Sequence, residues 1–510
     1  MPTFSQFNLD TVRRTQYAGT WYEGNSDKLK AQLRAYLHDA DEAMNLAPHS
    51  VPTESILALI APHAGYLYSG KTAAFSYNAI QSPLVKRVFL LGPSHHMALH
   101  GVALPSATSF ETPLGNLHVD KRTLNELKSY PLFSVQPDIH KVEHSLELQL
   151  PFIRQAFGDV KIVPLIVGVL KDEAEIRLVA EVLKGYIAKD DLIVVSSDFT
   201  HYGPRYGYTP FPNYSREKIE QLDKEAYGHL AQADLQGFID FHNRTEDTIC
   251  GLFPCAVLCA MLPSEARGHL LKYATSQEIV PDDVDNSVSY LAITFAGPQW
   301  PVNPAQRHSI SDAIKLSDEE KQTLLTIARR SLEKWVKEQK VLDPRHESDI
   351  TITAQMKQCF GAFVTLYKKS AADRERRQLH SGKELRGCIG NIWPVRSLYQ
   401  TIVENAIASS SRDYRFNPVT ADELSDVHIE ISILTPPRRV PSFKEIVLGT
   451  DGIILSKQQH QAVFLPQVPT EFGWDLPETL RQLSLKAGLR DNDWKDGAQY
   501  DLFQSMPLEE

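Results

Sequence analysis

Three apolar runs in this chain end in short polar clusters whose histidines could meet at one metal ion. Ile56 to Ile60 leads into Ala61-Pro62-His63, Val88 to Leu91 into Gly92-Pro93-Ser94-His95-His96, and Leu192 to Val195 into Ser196-Ser197-Asp198-Phe199-Thr200-His201. A non-haem Fe(II) centre needs two imidazoles and one anionic ligand on one face of the metal, leaving positions open for dioxygen and substrate. His63 and His95 could supply the imidazoles, and Asp198 or the Cys250 thiolate the anion. Cys250 lies in Asp247-Thr248-Ile249-Cys250-Gly251, ahead of a helix-like stretch from Pro254 to Leu262, and a helix N-terminus favours the thiolate. Cys255 and Cys259 repeat at helical spacing on that apolar stretch and read as core. His201, three residues after Asp198, has the titration range of a general acid or base, and Asp198 could orient an imidazole from behind. A fourth cluster, Glu143-His144-Ser145-Leu146-Glu147, opens an apparent helix, where capping alone would explain the two carboxylates. If its turn faces the same crevice, Glu143 and His144, like His96, become residues that support the ligands or bind substrate. Singly, each histidine also reads as a hydrogen-bonded residue after a strand; together they outline a site.

Such convergence requires an open, mostly parallel sheet, in which ligands collect outside the carboxyl ends of the strands. Helical patterns over Leu29 to Leu37, Thr123 to Leu127, Glu147 to Phe157, Glu173 to Ile187 and Arg216 to Leu230 alternate with the apolar runs. The expected fold of residues 1–297 is therefore α/β, a parallel or mixed sheet flanked by helices. Lys161 to Val167 reads as a further buried strand, with Pro164 an objection to it. Gly297-Pro298-Gln299-Trp300-Pro301 opens a polar stretch, and a linker is expected at 298–315. Residues 316–510 form a smaller α+β domain, starting with a capping box at Ser317-Asp318-Glu319-Glu320. Its helices are expected near 317–340, 394–410 and 476–488. Strands are expected near 360–367, 427–434, 452–457 and 461–465, with a hairpin around Lys457 to Gln461.

Five cysteines, at 250, 255, 259, 359 and 388, with no Cys-x-x-Cys spacing argue against a disulfide framework. Residues 1–300 carry 25 Lys+Arg against 34 Asp+Glu and residues 301–510 carry 28 against 29, so neither half has the positive excess of a nucleic-acid binder. The basic stretch Arg374-Glu375-Arg376-Arg377 reads as a solvated loop. Met1 to Tyr22 has no apolar core of a signal peptide and no run is long enough to span a bilayer, so a soluble, cytoplasmic protein is expected. Walker loops and dinucleotide fingerprints are absent.

The motifs Ala61-Pro62-His63-Ala64-Gly65-Tyr66, Gly92-Pro93-Ser94-His95-His96, Glu143-His144-Ser145, Ser196 to His201 and Thr248-Ile249-Cys250-Gly251 together resemble the Memo family. Memo proteins are similar in fold to the class III extradiol dioxygenases. The resemblance implies His63, His95 and Cys250 as iron ligands and His201 at the place of a catalytic base, with Asp198 as its support. A thiolate ligand is softer than the usual carboxylate, which brings copper or zinc into consideration beside iron. Residues 316 to 505 resemble the AMMECR-like domain through Leu385-Arg386-Gly387-Cys388-Ile389-Gly390, Gly449-Thr450-Asp451-Gly452-Ile453 and Phe464-Leu465-Pro466. The fusion resembles the bacterial and archaeal AmmeMemoRadiSam system, which implies a radical-SAM partner protein.

In the second domain Cys388 could act as a nucleophile if Arg386 or His380 lowers its pKa, and Gly387 and Gly390 could equally shape a bulged strand that buries it. His428 reads as a strand-edge histidine. The function expected is an iron-dependent oxidoreductase or dioxygenase acting on a small substrate. The alternative is a peptide- or protein-binding adaptor using the same crevice, as animal Memo relatives suggest for phosphopeptides, and zinc hydrolysis with His201 as base is a third option.

Overall fold

A computed structural model describes residues 11–46, 55–80, 85–128, 130, 132–211, 214–283, 285–300, 315–353, 355–369, 383–394, 396–440, 442–457 and 460–510. The chain divides into two compact units, Met1–Pro304 and Ala305–Glu510. Most of the expected linker, the basic stretch at 374–377 and His380 lie outside the described residues. Among the described residues no helix is long and apolar enough to cross a membrane.

The first unit contains β1 (Val12–Arg13), β2 (Ser55–Ala61), β3 (Arg87–Pro93), β4 (Val102–Leu104), β5 (Ser109–Phe110), β6 (Leu117–His118), β7 (Phe133–Val135), β8 (Lys161–Val167), β9 (Asp191–Ser196), β10 (His201–Tyr202), β11 (Arg267–Thr275) and β12 (Ser287–Gly297). Nine of these form one sheet in the order β10-β12-β2-β9-β3-β8-β4-β7, with β11 also paired to β12. β2, β9, β3 and β8 pair parallel to one another, while β12 joins β2 and β4 joins β8 antiparallel, so the sheet is mixed. Burial on both faces explains why the central strands read as unbroken apolar runs: every residue of β9 and all but the first of β3 are buried. Because β2, β9 and β3 are adjacent and parallel, their carboxyl ends bring the segments carrying His63, Asp198 and His95 side by side.

Helices cover the sheet. Glu173–Lys184 and Arg216–Ala231 start where Asp172 and Ser215 accept the backbone N–H three residues on, as the sequence pattern predicts. The helix Tyr66–Asn78 escapes that pattern because small and polar residues fill its buried face; Ser76 Oγ, for example, donates to Ile60 O at 2.8 Å. Pro164 is accommodated in β8 between the Ile162–Val119 bridge and the Ile166–Val167 pairing to β4, where its missing N–H costs the outer edge no ladder bond.

The second unit contains β13 (Gly361–Lys369), β14 (Lys383–Asn391), β15 (Val427–Leu434), β16 (Arg438–Val440), β17 (Gly452–Lys457), β18 (His460–Phe464), β19 (Gln499–Phe503) and β20 (Ser505–Glu509). They form two four-stranded sheets, β14-β13-β15-β20 and β16-β19-β17-β18. Helices Asp318–Glu338 and Leu398–Ser411 share a core with the first sheet through Leu324, Leu332, Ile402, Val364 and Ile431. Leu480 and Leu483, on the helix Leu476–Lys486, pack with Ile453, Leu455 and Leu502 of the second. The Ser317–Glu320 capping box and the Lys457–His460 hairpin pairing are present.

Candidate functional site

His63 leaves β2 with a defined tautomer. The Ser196 hydroxyl at the end of β9 donates to Ser145 O at 2.6 Å, so its oxygen accepts from Gln149 Nε2 at 3.0 Å and from His63 Nδ1 at 2.9 Å. Gln149 is itself fixed, accepting from Tyr77 OH at 2.9 Å and donating to Pro62 O at 2.9 Å. Nδ1 of His63 therefore carries the proton and Nε2 the lone pair. Burial, helped by His95, holds this imidazole well below the ordinary histidine range, so it is neutral.

His95, in the loop after β3, has the same arrangement with a carboxylate behind it. Glu143 accepts the His95 backbone N–H at 2.6 Å, His95 Nδ1 at 2.8 Å and the Ser145 N–H at 2.9 Å. Burial alone would raise the Glu143 carboxyl, but its hydrogen bond and charge interaction with His95 pull it well below the ordinary range. The sequence pattern offered Glu143 either helix capping or a place supporting the ligands. The structure ends the helix Pro137–Val142 there and turns the side chain onto His95. A carboxylate behind an imidazole fixes the ring and raises its basicity toward a metal.

His144 follows directly and joins the cluster. Its ring centroid lies 4.3 Å from that of His95 and 5.4 Å from that of His63. Burial, with His63 and His95, holds it well below the ordinary histidine range. His63, His95 and His144 offer ring nitrogens within 4.8 Å of one another, a donor set that fits a borderline divalent ion. Sequence reasoning gave His144 a supporting part; the structure brings it in among the ligand candidates.

Cys250 lies beside this cluster, with Sγ 3.1 Å from His63 Nε2, and it accepts the Asp198 backbone N–H at 3.1 Å. The expected lowering of its pKa by a helix N-terminus is overturned: the helix is Leu252–Met261, and burial, reinforced by the Asp198 carboxylate, pushes the thiol well above its ordinary range. Desolvation of a thiolate outweighs the partial charge of a helix end. Asp198 is buried, which raises its carboxyl, and its Oδ1 accepts the His63 backbone N–H at 2.7 Å. It thus holds His63 through the chain rather than through a ring nitrogen. His201 faces Phe199 O at 2.8 Å and Thr248 O at 3.1 Å with Nδ1, which leaves Nε2 as its lone-pair nitrogen.

Two residues near the site had no signal in the sequence pattern. Tyr17 OH donates to Val142 O at 2.7 Å and lies 3.1 Å from His96 Nε2, and the Trp21 ring centroid is 4.7 Å from that of His144. Their segment is tied down by buried Glu147, which pairs with Arg13 and accepts from Gln16 N at 3.0 Å, Tyr17 N at 2.9 Å and Tyr22 OH at 3.0 Å. Contacts over such sequence separations leave no periodicity to read.

In the second unit the register of β14 against β13 shifts between Gly387 and Leu385, a bulge at Arg386, and Thr365 Oγ1 lies 3.3 Å from Cys388 Sγ. Burial raises the Cys388 thiol. Arg386 is turned away onto Glu423, with Nη2 to Oε2 at 3.0 Å. The bulged-strand reading of this motif describes the geometry.

The first unit is thus an α/β domain with a histidine cluster outside the carboxyl ends of three adjacent strands, followed by a second, β-rich unit. Residues 13–294 match the model of the Memo-like protein family and residues 325–507 the model of AMMECR1. The chain belongs to the Memo family and carries an AMMECR1 domain after the Memo-like one. It is similar to Protein MEMO1 of Xenopus laevis, 36% identical over 302 residues that cover 56% of this chain and 97% of that one. The Protein memo-1 homolog of Caenorhabditis elegans is 34% identical over 302 residues, 56% of this chain and 83% of that one. A solved structure of an uncharacterized protein from Pyrococcus horikoshii is 31% identical, with 38% of this chain and 92% of that chain covered at a TM-score of 0.33.

Proposed function

We propose that the Memo-like unit is an iron-dependent oxidoreductase of the extradiol-dioxygenase type acting on a small substrate. His63 and His95 are its imidazole ligands, and Cys250 or His144 its third donor. The observation that carries this reading is that Ser196 and Glu143 occupy the Nδ1 sides of His63 and His95, which places the lone pair of each ring on Nε2, the nitrogen an ion would take. Iron would supply charge stabilisation and oxygen activation when bound. His201 holds or accepts a proton at Nε2, because its Nδ1 side is occupied by two carbonyls. Asp198 keeps the His63 segment and Cys250 together. Copper or zinc in place of iron would leave these positioning roles unchanged.

Oxygen uptake by anaerobically prepared, iron-loaded protein on a panel of catechols and related small phenols tests the activity. Uptake on at least one substrate is expected, slowed about 10²–10⁴-fold in His201→Gln at unchanged iron content. No uptake on any of them, or an unaffected His201→Gln, would count against it. The domain fusion supports a working link to a radical-SAM enzyme in the cytoplasm, which co-purification from a host carrying both would reveal.

The exposed side chains of Trp21, Leu67 and Met97, at 38%, 66% and 43%, stand on segments that carry or adjoin the site and favour one other reading, a peptide-binding crevice. Capture of a phosphopeptide that persists in His63→Ala, without oxygen uptake by the wild type, is the outcome that reading requires.

A further inference from the structure

We propose that His96, Glu143 and His144 form a second cation site next to the first, suited to zinc or another borderline divalent ion. Among the described residues these three also offer ligand atoms within 4.8 Å of one another. His144 Nδ1 lies 3.2 Å from His96 Nε2 and 3.4 Å from Glu143 Oε1. Four ligands arranged tetrahedrally at about 2.0–2.1 Å from an ion stand about 3.3 Å from one another, which the 3.2 Å between His96 Nε2 and His144 Nδ1 matches. Glu143 Oε1 accepts from His95 Nδ1 and Ser145 N and Oε2 from the His95 N–H, so of about four carboxylate acceptor positions the one left for the ion is on Oε2. Tyr17 OH stands 3.1 Å from His96 Nε2 and sends its proton to Val142 O, so its oxygen is an acceptor at that contact.

Without an ion, the facing nitrogens of His96 and His144 are satisfied by one shared proton. When an ion takes both lone pairs, the ring that carried this proton passes to its other tautomer, with the N–H on its far nitrogen, and both imidazoles stay neutral. With His144 engaged here through Nδ1, the first site still has His63, His95 and Cys250, whose Sγ is 3.1 Å from His63 Nε2. With Cys250 as the third donor of the first site, the two sites can fill together. The second uses none of those three residues and does not depend on the dioxygenase reading. Glu143 joins them, since it orients His95 and contributes its spare acceptor position to the second ion.

Titration of the chelator-stripped full-length chain with Zn²⁺ by calorimetry tests this. Two tight equivalents are expected for the wild type, one for His96→Gln and one for His63→Ala, with an anomalous-scattering peak between His96 and His144 in zinc-soaked crystals. His96 is exposed, so His96→Gln should keep the wild-type thermal unfolding profile. Wild-type stoichiometry in His96→Gln, or loss of all tight zinc in His63→Ala, would overturn the proposal. If His96→Gln loses an equivalent and His63→Ala loses none, the second site stands and the first does not.

Discussion

Replacing Ser196 by alanine isolates the effect of proton placement on His63. In the wild type the Ser196 oxygen accepts from His63 Nδ1 at 2.9 Å while its proton goes to Ser145 O. Ser196→Ala removes that acceptor from a buried ring, so the Nδ1 proton has no partner and the imidazole is free to turn or change tautomer. Loss of a group that orients a metal-ligating histidine costs about 10–100-fold in metal affinity, equivalent to about 1.4–2.7 kcal/mol. Gln149 keeps its bonds to Pro62 O at 2.9 Å and Ala61 O at 3.3 Å, so the amide remains satisfied. Ser145 O loses its donor, a stability cost of about 1–3 kcal/mol for a buried group. Competition with a chelator of known affinity gives the metal dissociation constant, and urea unfolding gives the stability change separately. Ser196→Ala should move both. A variant destabilised by the expected amount yet binding metal with wild-type affinity would refute the reasoning, because Ser196 would then be packing rather than orienting His63.

Two other expectations follow from buried groups. Burial raises the Asp223 carboxyl from 3.8 to about 6, although Thr200 Oγ1 at 2.7 Å and Tyr273 OH at 3.0 Å donate to it. The native state binds this proton more tightly than the unfolded state, so the stabilisation is full below about pH 4 and is lost as pH rises to about 6, about 3 kcal/mol in all. Asp223→Asn should remove that slope from the stability profile, and parallel wild-type and variant profiles would contradict it. At Gly387 a Cβ would stand 2.1 Å from the Ser409 carbonyl oxygen, so Gly387→Ala should cost about 1–3 kcal/mol in thermal unfolding. Gly228→Ala, on the helix Arg216–Ala231 with nothing within 4 Å, should instead stabilise by about 1 kcal/mol, and equal effects of the two would argue against the close approach.

The sheet that positions the site was legible because β2, β3 and β9 are buried on both faces and therefore appear as unbroken apolar runs ending in histidine or aspartate. Helices with one apolar stripe and a Ser or Asp cap were legible for the same kind of reason. Tyr66–Asn78 was not, since its buried face is made of alanine, serine, threonine and tyrosine. Nor were β19 and β20, short strands whose pairing is set by distant partners. Within the site, the nearness of His63, His95 and Asp198 follows from strand adjacency. His144 lies opposite His96 only because the turn after Pro137–Val142 folds onto the loop after β3, a contact across 48 residues. Local capping describes neither Glu143, which orients His95 as the other reading of its cluster allowed, nor Glu147, which anchors the segment of Tyr17. The thiol of Cys250 was misjudged because a helix end is visible in sequence and burial is not.

The central claim is that His63 Nε2 and His95 Nε2 are metal ligands. Metal analysis of anaerobically purified protein, comparing the wild type with folded His63→Ala and Cys250→Ser, tests it most directly. The wild type should hold a transition metal at this site, His63→Ala should hold one equivalent fewer, and Cys250→Ser should hold that equivalent more weakly. A metal content identical in all three proteins would contradict the claim.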